Sequence, residues 1–293
     1  MKCLLTLVLL VLSQAVIAED RLSIYTVNYP LQYFAQRIAG THADVVFPAP
    51  ADVDPALWTP DAATIDAYQK ADLVLLNGAG YAKWAEKVSL PRLRQVDTSA
   101  SFAIGYIYIK DNVTHSDGPG EKHSHTGTAF TTWLDFYQAA QQGESIMQAL
   151  VKKRPQYKAE FQANFKQLRK DLMAMDLEMQ RLVAKDPDKP LLASHPVYHY
   201  LARRYLLHIE DVHWEPKVMP PEDEWQRLVY ATERFPAQWM IWEKPPLPEI
   251  GTRLDSLGID VLVFDPCMNT PQQGDFLAVM TQNLNNLKRA YTE

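Results

Sequence analysis

A histidine and an aspartate each follow a strand-like run in the C-terminal half of the sequence. His195 comes after residues 190–194, and Asp265 comes after residues 259–264. Neutral imidazole and carboxylate groups are both good ligands for Zn²⁺, at about 2.0–2.2 Å. Because binding sites in open α/β sheets lie beyond the carboxyl ends of the strands, these two side chains are candidates for one metal site. A buried structural histidine and a turn-capping aspartate would give the same pattern. We interpret Glu243, which follows a third strand, as structural.

A second candidate is the polar segment 111–127, which carries His115, His123 and His125. It is rich in Asp, Asn, Ser, Gly and Pro and has no apolar periodicity, which predicts a mobile loop. Alternate residues of an extended loop can present imidazole nitrogens to one ion. Ordering such a loop costs conformational entropy, so we expect it to bind a metal weakly by itself. A solvated polar loop without a ligand is the alternative interpretation.

Short β-branched runs alternate with helical stretches on both sides of the middle of the chain. Strands are predicted at residues 22–27, 43–47, 71–76, 102–109, 190–194, 208–213, 238–242 and 259–264. Helices are predicted between the first strands, at residues 30–38 and 61–70. Such alternation is typical of parallel sheets covered by helices.

One long helix is predicted between the two halves of the chain. Its apolar residues recur at alternating spacings of four and three: Phe161, Phe165, Leu168, Leu172, Met175, Met179 and Leu182. This stripe is one face of a helix over residues 155–185, about 45 Å long at 1.5 Å per residue. A coiled-coil seam is the alternative, but the repeat covers only about three heptads. Packing of one rod across two lobes explains the stripe better.

We therefore predict an α/β protein of two lobes, each with a parallel sheet and covering helices, joined by one long backbone helix. The predicted organisation is a signal peptide at 1–18, an N-terminal α/β lobe at 19–133 with the histidine-bearing loop at 111–127, a linking region with the backbone helix at 134–187, and a C-terminal α/β lobe at 188–293.

The first eighteen residues have the pattern of a secretory signal peptide. Lys2 precedes an apolar run over residues 4–12, and small residues lead to Ala18. The run is about half the roughly 20 residues that a membrane-spanning helix needs. We expect cleavage near Ala18, export to the periplasm and no stable insertion in the membrane.

Composition excludes several function classes. The formal net charge is −6 and no block of five basic residues occurs, so nucleic acid is not an expected partner. Of the two cysteines, Cys3 lies in the predicted signal, which leaves Cys267 and no internal disulfide in the mature chain. No nucleophile elbow, zinc-protease helix or phosphate loop is present, so we do not expect an enzyme. A metal-assisted hydrolase with Glu243 as base is the disfavoured alternative.

Several segments resemble the zinc and manganese ABC-transporter solute-binding proteins. They are VNYPLQYFAQRIAG, ADLVLLNGAGYAKW, a histidine-bearing loop before TTWLDF, ASHPVYHYLARRYLL, WMIWEKP and VFDPCMN. The resemblance implies two α/β lobes joined by a rigid helix, with a metal ion bound between them. It further implies that the chain captures a transition metal, zinc first, and hands it to an ABC-transporter permease. We expect the protein to act as a monomer.

The resemblance also implies which residues bind the metal. His195 and Asp265 fall on the two second-lobe ligand positions, and histidine at the former resembles the zinc-preferring members. The two first-lobe positions that carry histidine in the family fall on Ala56 and Thr131. Alanine cannot bind a metal, so two of the expected ligands are missing. We hypothesise that His123 and His125 fold over the cleft and complete the shell.

Two other functions remain open on the same scaffold. One is a periplasmic metal chaperone or sensor that binds a partner protein. The other is a binding protein for a metal chelate or other small ligand, in which Ala56 and Thr131 widen a cleft lined by Trp58 and Trp133. Imidazole and carboxylate also accommodate other divalent transition metals such as nickel and copper.

Overall fold

The computed structural model describes residues 21–109 and 127–292, together with the backbone of residues 114–116 and 122–124. The chain forms two lobes, each built on a four-stranded parallel sheet, and a long helix joins them. The predicted fold class, a two-lobed α/β protein, is confirmed. Over the described ranges no helix is long and apolar enough to cross a membrane. The predicted signal peptide at 1–18 lies outside the described residues.

The sheet of the first lobe forms from short runs separated by helices. Its strands are β1 (Leu22–Thr26), β2 (Ala43–Val46), β3 (Leu73–Leu76) and β4 (Gln95–Asp97), in the order β2-β1-β3-β4. Parallel neighbours need crossover connections, and helices α1 (Tyr29–Ala39) and α2 (Ala62–Lys70) supply two of them. Each helix begins with a polar cap, because the side chains of Asn28 and Asp61 accept hydrogen bonds from backbone N–H groups of the first turn.

The predicted strand at residues 102–109 is wrong over most of its length. Residues Ala100–Gly105 form a 3-10 helix, and only Tyr108–Ile109 (β5) is extended. The backbone N–H of Ser99 donates to the Asp97 carboxylate (3.0 Å), which turns the chain directly after β4. The fourth strand is instead the short polar run of β4, which sequence analysis did not predict. Polar residues suffice there because β4 lies at the edge of the sheet.

The histidine-bearing segment contains short paired strands. The backbone of Thr114–Ser116 (β6) pairs antiparallel with that of Lys122–Ser124 (β7), so that His115 lies opposite His123. At the base of the segment, Gly127–Thr128 (β8) pairs antiparallel with β5. The predicted loop therefore contains two short paired strands, which form because backbone pairing does not require apolar periodicity.

The predicted long helix is confirmed. After α3 (Phe136–Lys153), residues Lys158–Val183 form α4, which is about 39 Å long at 1.5 Å per residue. It packs against α1 of the first lobe, against α3 and against the last helix of the chain. Five of the seven predicted stripe residues are fully buried: Phe161, Leu168, Leu172, Met179 and Leu182. The other two, Phe165 and Met175, are partly buried against the same core.

The second lobe repeats the architecture of the first. Its strands are β9 (Pro190–Ala193), β10 (His208–Asp211), β11 (Trp239–Trp242) and β12 (Asp260–Val263), in the order β10-β9-β11-β12 with all neighbours parallel. Its helices are α5 (His199–Tyr205), α6 (Glu222–Arg234), α7 (Pro248–Ser256) and the final α8 (Phe276–Thr292). Apart from the strand at 102–109, each predicted strand is confirmed within two residues at either end.

One hydrophobic core runs through both lobes. It contains Leu22 and Ile24 of the first sheet together with Leu191 and Ile241 of the second. The final helix contributes Phe276, whose ring lies edge-on to that of Phe34 in α1, with the centroids 5.2 Å apart. The two lobes are therefore packed against each other, and the loops at their facing edges are held close together.

Candidate metal centre

Four loops leave the carboxyl edge of the second sheet. Because all four strands run in parallel, the residues that follow them emerge on the same side of the lobe. His195 follows β9, Glu215 follows β10, Glu243 follows β11 and Asp265 follows β12. The edge therefore carries the His195 imidazole and three carboxylates, and His213 lies in the same loop as Glu215.

His195 lies between two of these carboxylates. Its Nδ1 is 2.8 Å from Glu243 Oε1, and its Nε2 is 3.3 Å from Glu215 Oε1. The side chains of His195, Glu215 and Glu243 are only 14%, 22% and 15% exposed. When Nδ1–H donates to Glu243, the imidazole is fixed in the tautomer whose Nε2 lone pair faces Glu215. In this tautomer Nε2 is the ring nitrogen that could bind a metal ion.

Sequence analysis interpreted Glu243 as structural, and the structure shows in addition that it contacts and orients the His195 ring. Glu215 was missed by sequence analysis, since it lies four residues beyond the end of β10 and not directly after a strand. One signal could have found it. Glu215 and Glu243 each come directly after a buried tryptophan, Trp214 and Trp242, and no other Trp-Glu pair occurs in the sequence. The two tryptophans belong to one packed cluster, with ring centroids 6.5 Å apart.

Asp265 is bound within its own loop. The backbone N–H of Cys267 donates to Asp265 Oδ1 (2.7 Å), and the Asn283 side chain holds the Asp265 backbone at both its N–H and its C=O. Burial raises the pKa of the Asp265 carboxyl above its usual value, and the Glu243 carboxylate adds to this rise, while the Cys267 N–H and the Lys244 ammonium oppose it. The ionised Asp265 carboxylate is therefore incompletely solvated, and a bound cation would stabilise it.

The first lobe contacts this edge through hydrogen bonds to the second-lobe backbone. The Thr131 hydroxyl donates to the Val197 carbonyl (2.5 Å), and Trp133 Nε1 donates to the Pro266 carbonyl (2.7 Å). Thr131 and Trp133 are both buried. The two loops that contain His195 and Asp265 are thus tied to the same short segment of the first lobe.

In the first lobe, neither Ala56 nor Thr131 provides a metal ligand. The hydroxyl of Thr131 is engaged with the second lobe, and Ala56 is 9% exposed with its backbone N–H donating to Asp54 Oδ1 (2.8 Å). Within the described part of the chain, no three His, Cys, Asp or Glu side chains are grouped so that they could hold a metal ion. A complete shell therefore needs further groups.

The predicted loop ligands are only partly described. The backbone of His123 lies in β7, whereas His125 lies outside the described residues. The stem of their segment contacts α5, the helix that follows His195, because the backbone N–H of Ile107 donates to the Tyr200 hydroxyl (3.3 Å). The set of His195, Asp265, His123 and His125 stays a prediction.

Comparison with known proteins places this geometry in a family. Residues 24–290 match the ZnuA family, described as zinc-uptake complex component A, periplasmic. The chain belongs to the ZnuA family. It is 22% identical over 282 residues to the zinc-binding lipoprotein AdcA of Streptococcus pneumoniae serotype 4, which covers 93% of this chain and 56% of that protein. It is 28% identical over 199 residues to the high-affinity zinc uptake system protein ZnuA of Bacillus subtilis strain 168, covering 64% of this chain and 59% of that protein.

A solved structure shows the same fold. The metal-dependent lipoprotein YcdH from Bacillus subtilis superimposes with a TM-score of 0.80 at 19% identity, covering 93% of this chain and 100% of that one. The present chain spans little more than half the length of the two curated relatives named above. The two-lobed architecture is therefore that of the ZnuA family.

Proposed function

We propose that this ZnuA-family chain captures a divalent transition-metal ion, with Zn²⁺ as its main cargo, and delivers it to the permease of an ABC importer. The observation that carries the proposal is His195, which is oriented by Glu243 at an edge of the second lobe that the first lobe covers. The names of the relatives, a zinc-binding lipoprotein and a zinc uptake protein, support zinc as the cargo. The protein acts by binding and release, without catalysis.

The central experiment is a calorimetric titration of Zn²⁺ into the metal-stripped mature protein. We expect one ion to bind per chain. Absence of zinc binding would overturn the proposal, because the protein could then not act as a zinc receptor. In a companion experiment, the zinc-loaded protein is crosslinked to its neighbours in the native membrane fraction and then purified. We expect a permease to be recovered with it. Recovery of a soluble partner instead would favour a metal chaperone.

We further propose the location and organisation of the working protein. Residues 1–18 direct export and are removed near Ala18, so that the mature chain acts in the periplasm as a monomer. The N-terminal lobe spans residues 19–133, the linking region 134–187 and the C-terminal lobe 188–293. N-terminal sequencing of the secreted protein and its mass in solution test these points.

The proposed shell comprises His195 and Asp265 with His123 and His125. Two observations support the loop histidines: the first-lobe positions Ala56 and Thr131 offer no ligand, and the stem of the loop contacts the helix that follows His195. Zinc sites with three or four protein ligands are the norm, and His195 with Asp265 supply only two.

Replacing both loop histidines with alanine should remove most of the zinc affinity. The physical reason is that two nitrogen ligands of a four-ligand shell would be lost. The measurement is the zinc dissociation constant of the His123→Ala/His125→Ala double variant, compared with His115→Ala as a histidine control from the same segment. An unchanged dissociation constant in the double variant would show that the loop is not part of the shell.

Replacing Asp265 with asparagine should stabilise the metal-free protein and weaken zinc binding. The pKa of Asp265 is raised in the folded protein, so ionising this carboxyl costs more there than in the unfolded chain. The free energy of unfolding therefore falls as the pH rises from the pKa of the unfolded chain to the raised pKa of the folded protein. Asparagine keeps the acceptor for the Cys267 N–H but carries no charge. We expect a higher Tm without metal and a smaller zinc-induced rise in Tm, relative to the exposed control Asp260→Asn. A full zinc-induced rise would remove Asp265 from the shell.

A chelate-binding function is the second candidate, favoured by the absence of a first-lobe ligand at Ala56 and Thr131. In that case a small chelator would supply the remaining donor atoms. Titration with a preformed zinc–citrate complex tests it. Tighter binding of the complex than of the free ion would favour the chelate, and weaker binding would favour the bare ion.

A further inference from the structure

The two carboxylates next to His195 lie at different distances from its ring. Glu243 Oε1 is 2.8 Å from Nδ1, within the range of about 2.7–2.9 Å for charge-assisted hydrogen bonds. Glu215 Oε1 is 3.3 Å from Nε2, which is longer than that range. In a tetrahedral zinc site with bonds of about 2.0–2.2 Å, two ligand atoms lie about 3.3–3.6 Å apart. Nε2 and the Glu215 oxygen are thus separated like two ligands of one ion.

We propose that Glu215 is a direct metal ligand that binds the same ion as His195 Nε2, and that Glu243 is a positioning residue that acts through His195. This inference rests on the proposed function, because it assumes that His195 binds the cargo ion. It adds a carboxylate from the loop after β10, which the resemblance to the solute-binding proteins does not predict.

The backbone on both sides of Glu215 is held in place. The N–H of Trp214 donates to the carbonyl of Ser194, the residue before His195. On the other side, the N–H of Leu247 donates to the Pro216 carbonyl (2.9 Å), which links the loop after β10 to the loop after β11. The first bond holds the residue before Glu215 against the residue before His195, and the second holds the residue after Glu215 in place. A carboxylate held in this way loses little entropy when it binds a metal.

Packing reinforces this arrangement. Trp214 is 2% exposed, and its ring lies 4.6 Å from that of Trp225 and 6.5 Å from that of Trp242, measured between centroids. Because Trp214 precedes Glu215 and Trp242 precedes Glu243, one aromatic cluster supports both carboxylates. The cluster leaves the two acids on opposite sides of the imidazole, so that they contact different ring nitrogens.

The need for such a ligand follows from the first lobe. The Thr131 hydroxyl is bound to the Val197 carbonyl and the Ala56 side chain has no ligand atom, so places in the shell beyond His195 and Asp265 are open to a further carboxylate of the second lobe. Oxygen from Glu215 is compatible with zinc, and its negative charge offsets that of the divalent ion.

A cysteine substitution gives a direct test of contact with the metal. In the Glu215→Cys variant loaded with Co²⁺, a thiolate bound to the metal gives an intense charge-transfer band in the near ultraviolet. We expect this band for Glu215→Cys and not for the control Glu210→Cys, whose residue is exposed on β10. The wild-type protein, which has the buried Cys267, gives the baseline. A folded Glu215→Cys variant that binds Co²⁺ without the band would overturn the assignment.

Zinc titration separates the ligand from the positioning residue. Removing a hydrogen-bond partner of a ligating histidine costs about 10–100-fold in affinity, so we expect a loss in this range for Glu243→Gln and a larger one for Glu215→Gln. Glu215→His, which restores a good ligand, should recover binding to within about 10-fold of wild type. Equal affinity of Glu215→Gln and wild type, or no rescue by histidine in a folded protein, would contradict direct ligation.

The outcomes also separate this inference from the proposed function. If His195→Ala abolishes zinc binding while Glu215→Gln leaves it unchanged, the assignment of Glu215 is wrong and the receptor function stands. If neither substitution changes zinc binding, or the wild type does not bind zinc, the proposed site at the second-lobe edge fails, and the assignment of Glu215 fails with it.

Discussion

His195→Ala should reduce zinc affinity more than any other single substitution in this protein. His195 is the only imidazole at the carboxyl edge of the second sheet whose two ring nitrogens both face carboxylates among the described residues. Loss of a hydrogen-bond partner of a metal ligand already costs about 10–100-fold in affinity, so loss of the ligand itself should cost more than about 100-fold. Alanine also leaves Glu215 and Glu243 without the ring between them.

The measurement is calorimetric titration of Zn²⁺ into metal-stripped wild-type protein, His195→Ala and His208→Ala. His208 is exposed at the start of β10 and serves as a histidine control on the same lobe. In the wild type, zinc at about 100 times its dissociation constant should add about 2.7 kcal/mol to the free energy of unfolding. This gain should vanish in His195→Ala and persist in His208→Ala. Equal zinc binding by all three proteins would rule out the second-lobe edge as the metal site.

Asp176→Ala should strongly destabilise the fold, although Asp176 lies outside the site. Asp176 lies on the long helix α4, and its side chain is 8% exposed. The Arg204 guanidinium of α5 binds both of its oxygens, through Nε (2.9 Å) and Nη2 (2.7 Å), and the Tyr205 hydroxyl donates to Oδ1 (3.0 Å). Removing one partner of a buried pair costs about 3–5 kcal/mol. Because the Arg204 side chain is 30% exposed, we expect about 3 kcal/mol.

The expected effect on thermal stability is a fall in Tm of about 6–12 °C, since 1 kcal/mol corresponds to about 2–4 °C in a chain of this size class. The matched control is Glu178→Ala, two residues further along α4. Glu178 pairs with Lys288 (2.6 Å), but both side chains are more than 40% exposed, so its loss should cost less than about 1 kcal/mol. Similar Tm values for the two variants would contradict a special role of the buried pair.

A second comparison separates the ion pair from the packing around it. In an Asp176→Leu/Arg204→Met double variant, neither member of the pair remains as an unpaired charge, so part of the lost stability should return relative to Asp176→Ala. Arg204 also lies 3.7 Å from Asp135, the residue that caps α3. The network therefore joins α5 of the second lobe to α4 and to the start of α3. Calorimetric unfolding curves of the two variants make the comparison.

Sequence periodicity was sufficient to predict the main elements. The stripe from Phe161 to Leu182 marks one face of α4, because a buried helix face must repeat apolar residues every three or four positions. The buried strands β3 and β11 are likewise continuous apolar runs. The short edge strand β4 was missed, because an edge strand with polar residues leaves no such signal.

Sequence alone determined the two-lobed fold and the positions of His195 and Asp265 after strands of the second lobe, because apolar periodicity and strand ends are local properties of the chain. Only the tertiary structure decided that Glu215 and Glu243 lie on either side of His195. Glu215 is 20 residues from His195 in sequence and Glu243 is 48, so contacts with this geometry arise only when parallel strands bring their carboxyl ends to one edge. The bond from Thr131 to Val197 is of the same kind, since it depends on how one lobe packs against the other.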